Sequence, residues 1–396
     1  MKIVDVAEFY TDTGGGVKTY INQKFKAARR LGHEMVVIAP GTEAGEEERF
    51  GGRVLWVKGP KLILDPNYVV LWRKKEVHRL LDIEQPDVVE GSSVWTGGHF
   101  AGTWSGEAVK SLVFHQDPVA VYPQTFLNSL FSLDTLDKMF GFAWNYIGKV
   151  SRMYDTTVVS GDWLKERLQA FDIHNPTTIR FGINKSFFSP QRRDQELRKK
   201  LLKDLGLGVD ASLCICVSRF HPEKRVGTII EGFAKASEKK PMGLILFGGG
   251  PFEKWVARKA DRTKHVKLMG FTSDRDELAN IMASSDYFLH GSAAETFGIV
   301  VAEAICSGLP VVVPDRGGAM DFGNPDYSEV YKTGKSDKMA EAILRITGRD
   351  RNLLSSACQT ASRNFVRSVD DHFDELFSYY SSLVKNGSNK KSLNNH

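Results

Sequence analysis

The stretch "DYFLHGSAAETFGIVVAEAICSGLPVVVPD", residues 286–315, decides the fold. It opens on a short apolar run and breaks at Gly291, Ser292 and Ala293. From Phe297 to Ser307 it is apolar on nearly every face, and after Gly308 it closes in a β-branched run. Strand, turn, buried helix and strand in that order form the unit from which parallel sheets covered on both faces are built. Two acids interrupt the apolar pattern, Glu295 and Glu303, and Gly298 between them permits a close turn. An isolated ionised carboxylate there would cost on the order of several kcal/mol, so Glu303 requires a partner. If the segment is largely helical, the acids stand roughly 12 Å apart at about 1.5 Å per residue. That length is comparable to the reach from a nucleotide's ribose to a sugar on its diphosphate, and carboxylates accept paired hydrogen bonds from hydroxyls.

The same rhythm extends in both directions. "KIVDVA", "EMVVIAP", "RVLWVKG", "PDVVEGSS", "SLVFHQ" and "TTVVS" alternate with helical patterns, and then "SLCICVSRF", "MGLILFGGG", "HVKLMGF", "DYFLHGS" and "LPVVVPD" repeat the programme. At 396 residues the chain is too long for one ordinary core. The expectation is an α/β protein of two facing Rossmann-like, doubly wound domains, 1–183 and 184–367, with 184–196 as linker. A helical pattern over 368–385 is expected to return to the N-terminal domain, and 386–396 to be a disordered tail.

Composition excludes several classes. An apolar content of 42% excludes a mostly disordered chain, and no long uncharged apolar run suits a spanning helix. The first residues read directly as a strand, so a cytoplasmic protein is expected. Cys214, Cys216, Cys306 and Cys358 have neither metal-ligand nor disulfide spacing and are expected as free thiols. Residues 1–180 hold 21 Lys/Arg against 22 Asp/Glu, which leaves 32 against 26 in the remainder. That basic surplus lacks aromatic interleaving, so it argues for an anionic small molecule and against nucleic acid.

Candidate site residues follow strand ends. Gly14, Gly15 and Gly16 stand before an amphipathic helix, where backbone amides and the helix dipole can meet an anion or a sugar oxygen; the separated glycines of the dinucleotide fingerprint are absent. His115 and Asp117 follow a buried strand, and Asp117 before Pro118 also reads as a turn former. The apolar, aromatic stretch after Pro118 reads as core helix packing or as an acceptor-facing surface that touches lipid. Arg219, Lys224 and Arg225 follow "CICVS" and suit the grip of a diphosphate from two sides. Gly249, within "LILFGGGP", lets a nucleotide approach the backbone. Asp274-Arg275-Asp276 imitates a metal-binding acid pair, but Glu277 at capping-box distance from Asp274 reads as a helix start.

Taken together, "GGGV", "SRFHPEKR" and "ETFGIVVAEAICSGLPVVV" resemble the retaining glycosyltransferases of family four, of GT-B architecture, over almost the whole chain. The resemblance implies that Glu303 holds the ribose, and that Glu295 with the backbone at Thr296, Phe297, Gly298 and Ile299 contacts donor sugar and phosphates. It implies that Arg219 and Lys224 neutralise the diphosphate, that His115 lies near the donor sugar, and that Gly15 and Gly16 line the reaction centre. Two departures occur: "RFGIN" replaces the usual "PNGVD", and "GGGP" the usual "GxGP". The implied activity is hexosyl transfer with retention from a nucleotide-diphosphate sugar, a UDP-hexose being expected, to a lipid, sugar or polyol hydroxyl. No metal and no cofactor are expected, and peripheral contact with the inner face of a membrane is left open. The competing readings are a nucleotide-sugar epimerase on the same scaffold and a non-catalytic nucleotide-sugar-binding subunit.

Overall fold

A computed structural model of the chain describes residues 1–11, 16–61, 69–127 and 130–394, with 387–394 described by backbone alone. The chain divides into two compact units. Met1–Gln116, Asp137–Arg180 and Val369–His396 make the first, and Asp117–Leu136 with Phe181–Ser368 the second.

In the first unit, strands β1 (Lys2–Val6), β2 (Glu34–Gly41), β3 (Gly45–Arg49), β4 (Gly52–Lys58), β5 (Val88–Gly91), β6 (Val109–Val113), β7 (Thr156–Val159) and β8 (Pro176–Thr178) form one sheet. Their order is β3-β4-β2-β1-β5-β6-β7-β8, and only β3 with β4 pairs antiparallel. Ile3, Val4 and Val6, like Val36 to Ala39, are fully buried, because helices cover both faces and leave no solvent side for polar alternation. Strand β3, "GEEER", is absent from the expected set. It carries no apolar residue and lies at the edge, where charges discourage further pairing.

Helix Val369–Asn394 packs within this unit. Phe373, Phe377 and Tyr380 are buried in the cluster that holds Ile3, Phe25 and Val37. Beneath them lies a buried polar network. Lys24 Nζ donates to Asp5 Oδ2 at 3.0 Å and to Glu90, all three side chains being fully buried. Tyr380 donates to Glu90 Oε1 at 2.6 Å, and Ser92 to Asp5 Oδ1 at 2.6 Å. The helical backbone continues to Asn394, past the limit of 385 expected from the apolar pattern. Extending a helix that is already nucleated adds one bond per residue without a new nucleation cost, so polar residues can carry it on.

In the second unit, a short parallel pair joins β9 (Gly182–Ile183) to β16 (Arg367–Ser368). Between them β10 (Ser212–Val217), β11 (Met242–Phe247), β12 (Val266–Gly270), β13 (Tyr287–Leu289), β14 (Val311–Pro314) and β15 (Ser328–Tyr331) form an all-parallel sheet in the order β12-β11-β10-β13-β14-β15. Leu213, Ile215, Phe288 and Val311 join one core cluster, while Cys214, Cys216, Leu289 and Val312 join another. Successive side chains point to opposite faces of the sheet, and both faces are buried.

The expected linker 184–196 is part of this unit's framework. Phe188 is buried, Asp194 caps helix Gln195–Asp204 through the Glu196 and Leu197 amides, and Arg193 lies 2.8 Å from Asp286. Arg198 and Arg351 reach the same carboxylate, which also accepts the Leu213 amide at 2.9 Å. Burial would raise Asp286, but Arg198, Arg351 and that amide outweigh it and the net shift is downward. Residues 117–136 also group with the second unit, where Arg316 Nη2 lies 2.6 Å from Asp134 Oδ1. All four cysteines are free and buried.

Candidate functional site

Open parallel sheets bind ligands beyond the carboxyl ends of their strands, where the strand order reverses. In the second unit the chain leaves β10 toward β11 and β12 on one side and returns through β13 on the other. The loops after β10 and β13 therefore flank the reversal, and the sequence's strongest candidates lie on them.

Lys224, in the short turn Pro222–Lys224, donates to Glu295 Oε1 at 2.7 Å, both side chains being mostly buried. His290 Nε2 lies 3.4 Å from the other oxygen, Oε2. Burial would raise Glu295, yet Lys224 and then His290 outweigh it and hold the carboxyl far below its usual range. Glu295 is thus an anion at any physiological pH. A Cβ at Gly291 would stand 2.6 Å from the Lys224 carbonyl, so the two loops approach at backbone distance. The following turn is clamped from β14. Gly318 N donates to the Glu295 carbonyl at 2.6 Å, and a Cβ on Gly318 would fall 2.3 Å from the Thr296 carbonyl.

The helix begins later than the sequence pattern implies. It spans Ile299–Cys306, with Gly298 at its N-cap in the left-handed region (φ 87°). A Cβ there would meet Ala319 at 3.2 Å, so both conformation and space call for glycine. Glu295 consequently lies on the loop ahead of the helix and Glu303 on the helix itself, which corrects the continuous helical spacing expected for the pair. Phe297 is 3% exposed and packs edge-on to Phe181 and Phe322, so only its backbone is available to a ligand. Ile299 is exposed.

Glu303 has the opposite electrostatics to Glu295. Its carboxyl is pushed up to about 7 by burial, which Arg275 Nη2 at 3.4 Å only partly offsets. Arg275 itself is 57% exposed and lies over the rings of Phe187 and Phe188. Arg219 is 78% exposed, 3.6 Å from buried Glu223, which His221 also contacts. Arg225, the third of the cations expected at this strand end, sits in the left-handed region (φ 47°), and its buried Nη1 has no hydrogen-bond partner among the described residues. Burial lowers its pKa, with Tyr331 opposing.

Two expectations resolve into local structure. Around Gly249 it is the flanking residues that need glycine: Gly248 and Gly250 have φ of 146° and 142°, and a Cβ on Gly248 would lie 1.8 Å from the Ser218 carbonyl. Gly249 contributes its carbonyl to the Phe220 amide at 2.8 Å. Asp274 caps helix Arg275–Ser284 through the Asp276 and Glu277 amides. The box is closed differently from the expected one, since Thr272 hydroxyl donates to Glu277 and accepts from the Asp274 amide.

In the first unit the order reverses between β1 and β5. Gly15 lies outside the described residues, whereas Gly16 is the first residue of helix Gly16–Arg30, with open space where a Cβ would be. Just after β1, Glu8 accepts from the Thr96 hydroxyl at 2.6 Å and the Gly97 amide at 2.7 Å, a contact with no signal in the residue pattern. His115 packs edge-on to Tyr20, with centroids 5.1 Å apart. Burial, aided by Lys24, pushes its pKa down to about 4, so it is a neutral imidazole at pH 7. Asp117, assigned to the second unit, N-caps the turn Pro118–Val121 by accepting from the Ala120 amide, as the turn-former reading has it. His115 and Gly16 thus belong to one unit, and Arg219, Lys224, Glu295 and Glu303 to the other.

Comparison with known proteins bears on the family and the fold. Residues 198–361 match the model of "Glycosyl transferases group 1" and residues 14–187 that of "Glycosyltransferase Family 4". A GDP-mannose-dependent alpha-mannosyltransferase of Mycobacterium tuberculosis is 31% identical over 340 residues, 82% of each chain. A GDP-mannose-dependent alpha-(1-6)-phosphatidylinositol dimannoside mannosyltransferase of the same species is 24% identical over 88% of each chain. Among solved structures, sucrose-phosphate synthase of Thermosynechococcus elongatus superposes with a TM-score of 0.73 at 16% identity, covering 97% of this chain and 99% of its own.

Proposed function

The chain belongs to the family-four glycosyltransferases, and we propose that it moves a mannosyl group from GDP-mannose, with retention, to a hydroxyl on a lipid-borne sugar or polyol. The observation that carries the reading is the Lys224–Glu295 pair held between the loops after β10 and β13. The relatives' names replace the expected UDP-hexose with GDP-mannose and support the lipid-borne acceptor.

In this reading the bond from the anomeric carbon to the diphosphate oxygen breaks while a bond to the acceptor oxygen forms on the same face. The acceptor's proton passes to the departing phosphate. Positive charge grows on the sugar, where the anionic Glu295 stabilises it, and negative charge on the phosphate, where exposed Arg219 can swing in. Such electrostatic donors are worth about 10² to 10³ in rate each. Glu303, on the helix beyond, takes the ribose hydroxyls. Arg219 and Lys224 would do the work of a metal, so EDTA is expected to leave the rate unchanged when it is followed by product mass spectrometry.

Tyr122, Phe126, Leu130 and Phe131 are exposed in 117–136 and supply an apolar face for the acceptor's lipid. Among the described residues no helix is long and apolar enough to cross a membrane, so contact would be peripheral. The test offers purified protein GDP-mannose and UDP-hexoses with vesicle-borne acceptors. Transfer or slow donor hydrolysis with GDP-mannose is expected. Turnover restricted to UDP-sugars would refute the donor, and epimerisation without an acceptor would refute transfer.

A further inference from the structure

Resting on that reading, we infer that His290 is a positioning residue that fixes the orientation of the Glu295 carboxylate toward the donor sugar. His290 follows directly after β13 and is 3% exposed. Its backbone is held from two strands: the amide donates to the Val312 carbonyl at 2.9 Å, and the carbonyl accepts from the Tyr331 hydroxyl at 2.9 Å. The imidazole plane lies 19° from that of Phe288, with ring centroids 6.3 Å apart. The ring therefore has little freedom to turn.

Each oxygen of Glu295 faces a different nitrogen, Oε1 the Lys224 ammonium at 2.7 Å and Oε2 the His290 Nε2 at 3.4 Å. Lys224 alone is a point charge on a flexible stem, about which the carboxylate could pivot. A second contact from a fixed ring removes that rotation and leaves one lone pair on each oxygen for a ligand. The 3.4 Å separation is longer than a formed hydrogen bond, and Nε2 hydrogen-bonds to nothing else among the described residues. Catalytic hydrogen bonds in empty sites are often long and tighten when substrate binds. A purely packing role would not call for a buried polar nitrogen, since an apolar ring could fill the same space without an unmet hydrogen bond.

The test compares His290→Phe, which keeps a ring, with His290→Gln, which keeps an N–H near the Nε2 position. His290→Phe is expected to melt cooperatively and bind GDP like the wild type while kcat falls by about 10², the scale of a small misplacement of reacting groups. His290→Gln is expected to restore kcat to within about tenfold of wild type, as a recovered transition-state contact would. Unchanged kcat in His290→Phe overturns the inference, as does loss of GDP binding and cooperative melting in both variants. Absence of turnover by the wild type would instead count against the proposed function. The contact is then read by NMR with GDP-mannose bound, where a solvent-protected His290 Nε2 proton in the wild type should disappear in Glu295→Ala. A signal unmoved by that substitution overturns the inference independently of activity.

Discussion

Glu303 sets folding against use. Its carboxyl titrates near 7 in the folded chain against 4.5 for an ordinary glutamate. Between those values the folded state holds the extra proton, so stability falls as pH rises through that window. The cost at pH 8 reaches about 3 kcal/mol, and Glu303→Gln should recover most of it in urea titrations while showing no gain near pH 4. The same variant should bind GDP more weakly by calorimetry, because an amide cannot accept the same paired hydroxyl bonds. Arg219 makes the opposite prediction. Largely exposed, it should tolerate Arg219→Ala within about 0.5 kcal/mol, while the transfer rate falls by about 10². Both acids and both cations were legible in the sequence because charge in an apolar run, or directly after a strand, stands out. His290 and Glu8 were not, because their significance lies in what faces them in space, and single-chain spacing carries no such information.

At the scale of elements, the site is made by loops that leave adjacent strands, each shaped by glycines in tight quarters. The loop holding Glu295 rests on Gly318, and a methyl there would strike backbone, which cannot move as a side-chain tip can. Gly318→Ala should cost about 1–3 kcal/mol in thermal unfolding, within the range for overpacking. It should also lower kcat more than a remote variant of equal stability. The strands with β-branched runs were legible, whereas β3, β8 and β15 were not. "GEEER", "PTT" and "SEVY" are short and lack an apolar run, and sheet neighbours decide such pairing. The helix that carries Glu303 was legible by its oiliness, but its start was not. Phe297 extends the apolar pattern into a residue that packs as core before the helical turn begins.

For the whole molecule, the division into two doubly wound units was legible from the repeated rhythm, but the seam was not. Residues 184–196 look like a linker by composition because Arg193 has no visible purpose until Asp286 is found in space beside it. The last helix groups with the first unit, and its anchor gives a prediction. Tyr380→Phe removes the hydroxyl that caps buried Glu90 and should cost about 1–3 kcal/mol, the penalty for a buried acceptor left short. That would be read as a lower melting temperature with the second unit's own GDP affinity preserved. The anchor also bears on synthesis. Lys24, Asp5 and Glu90 leave the ribosome early, yet the tyrosine that completes their cluster is translated only after every residue of the second unit. A nascent chain can therefore finish its inserted half while the enclosing half waits for its tail.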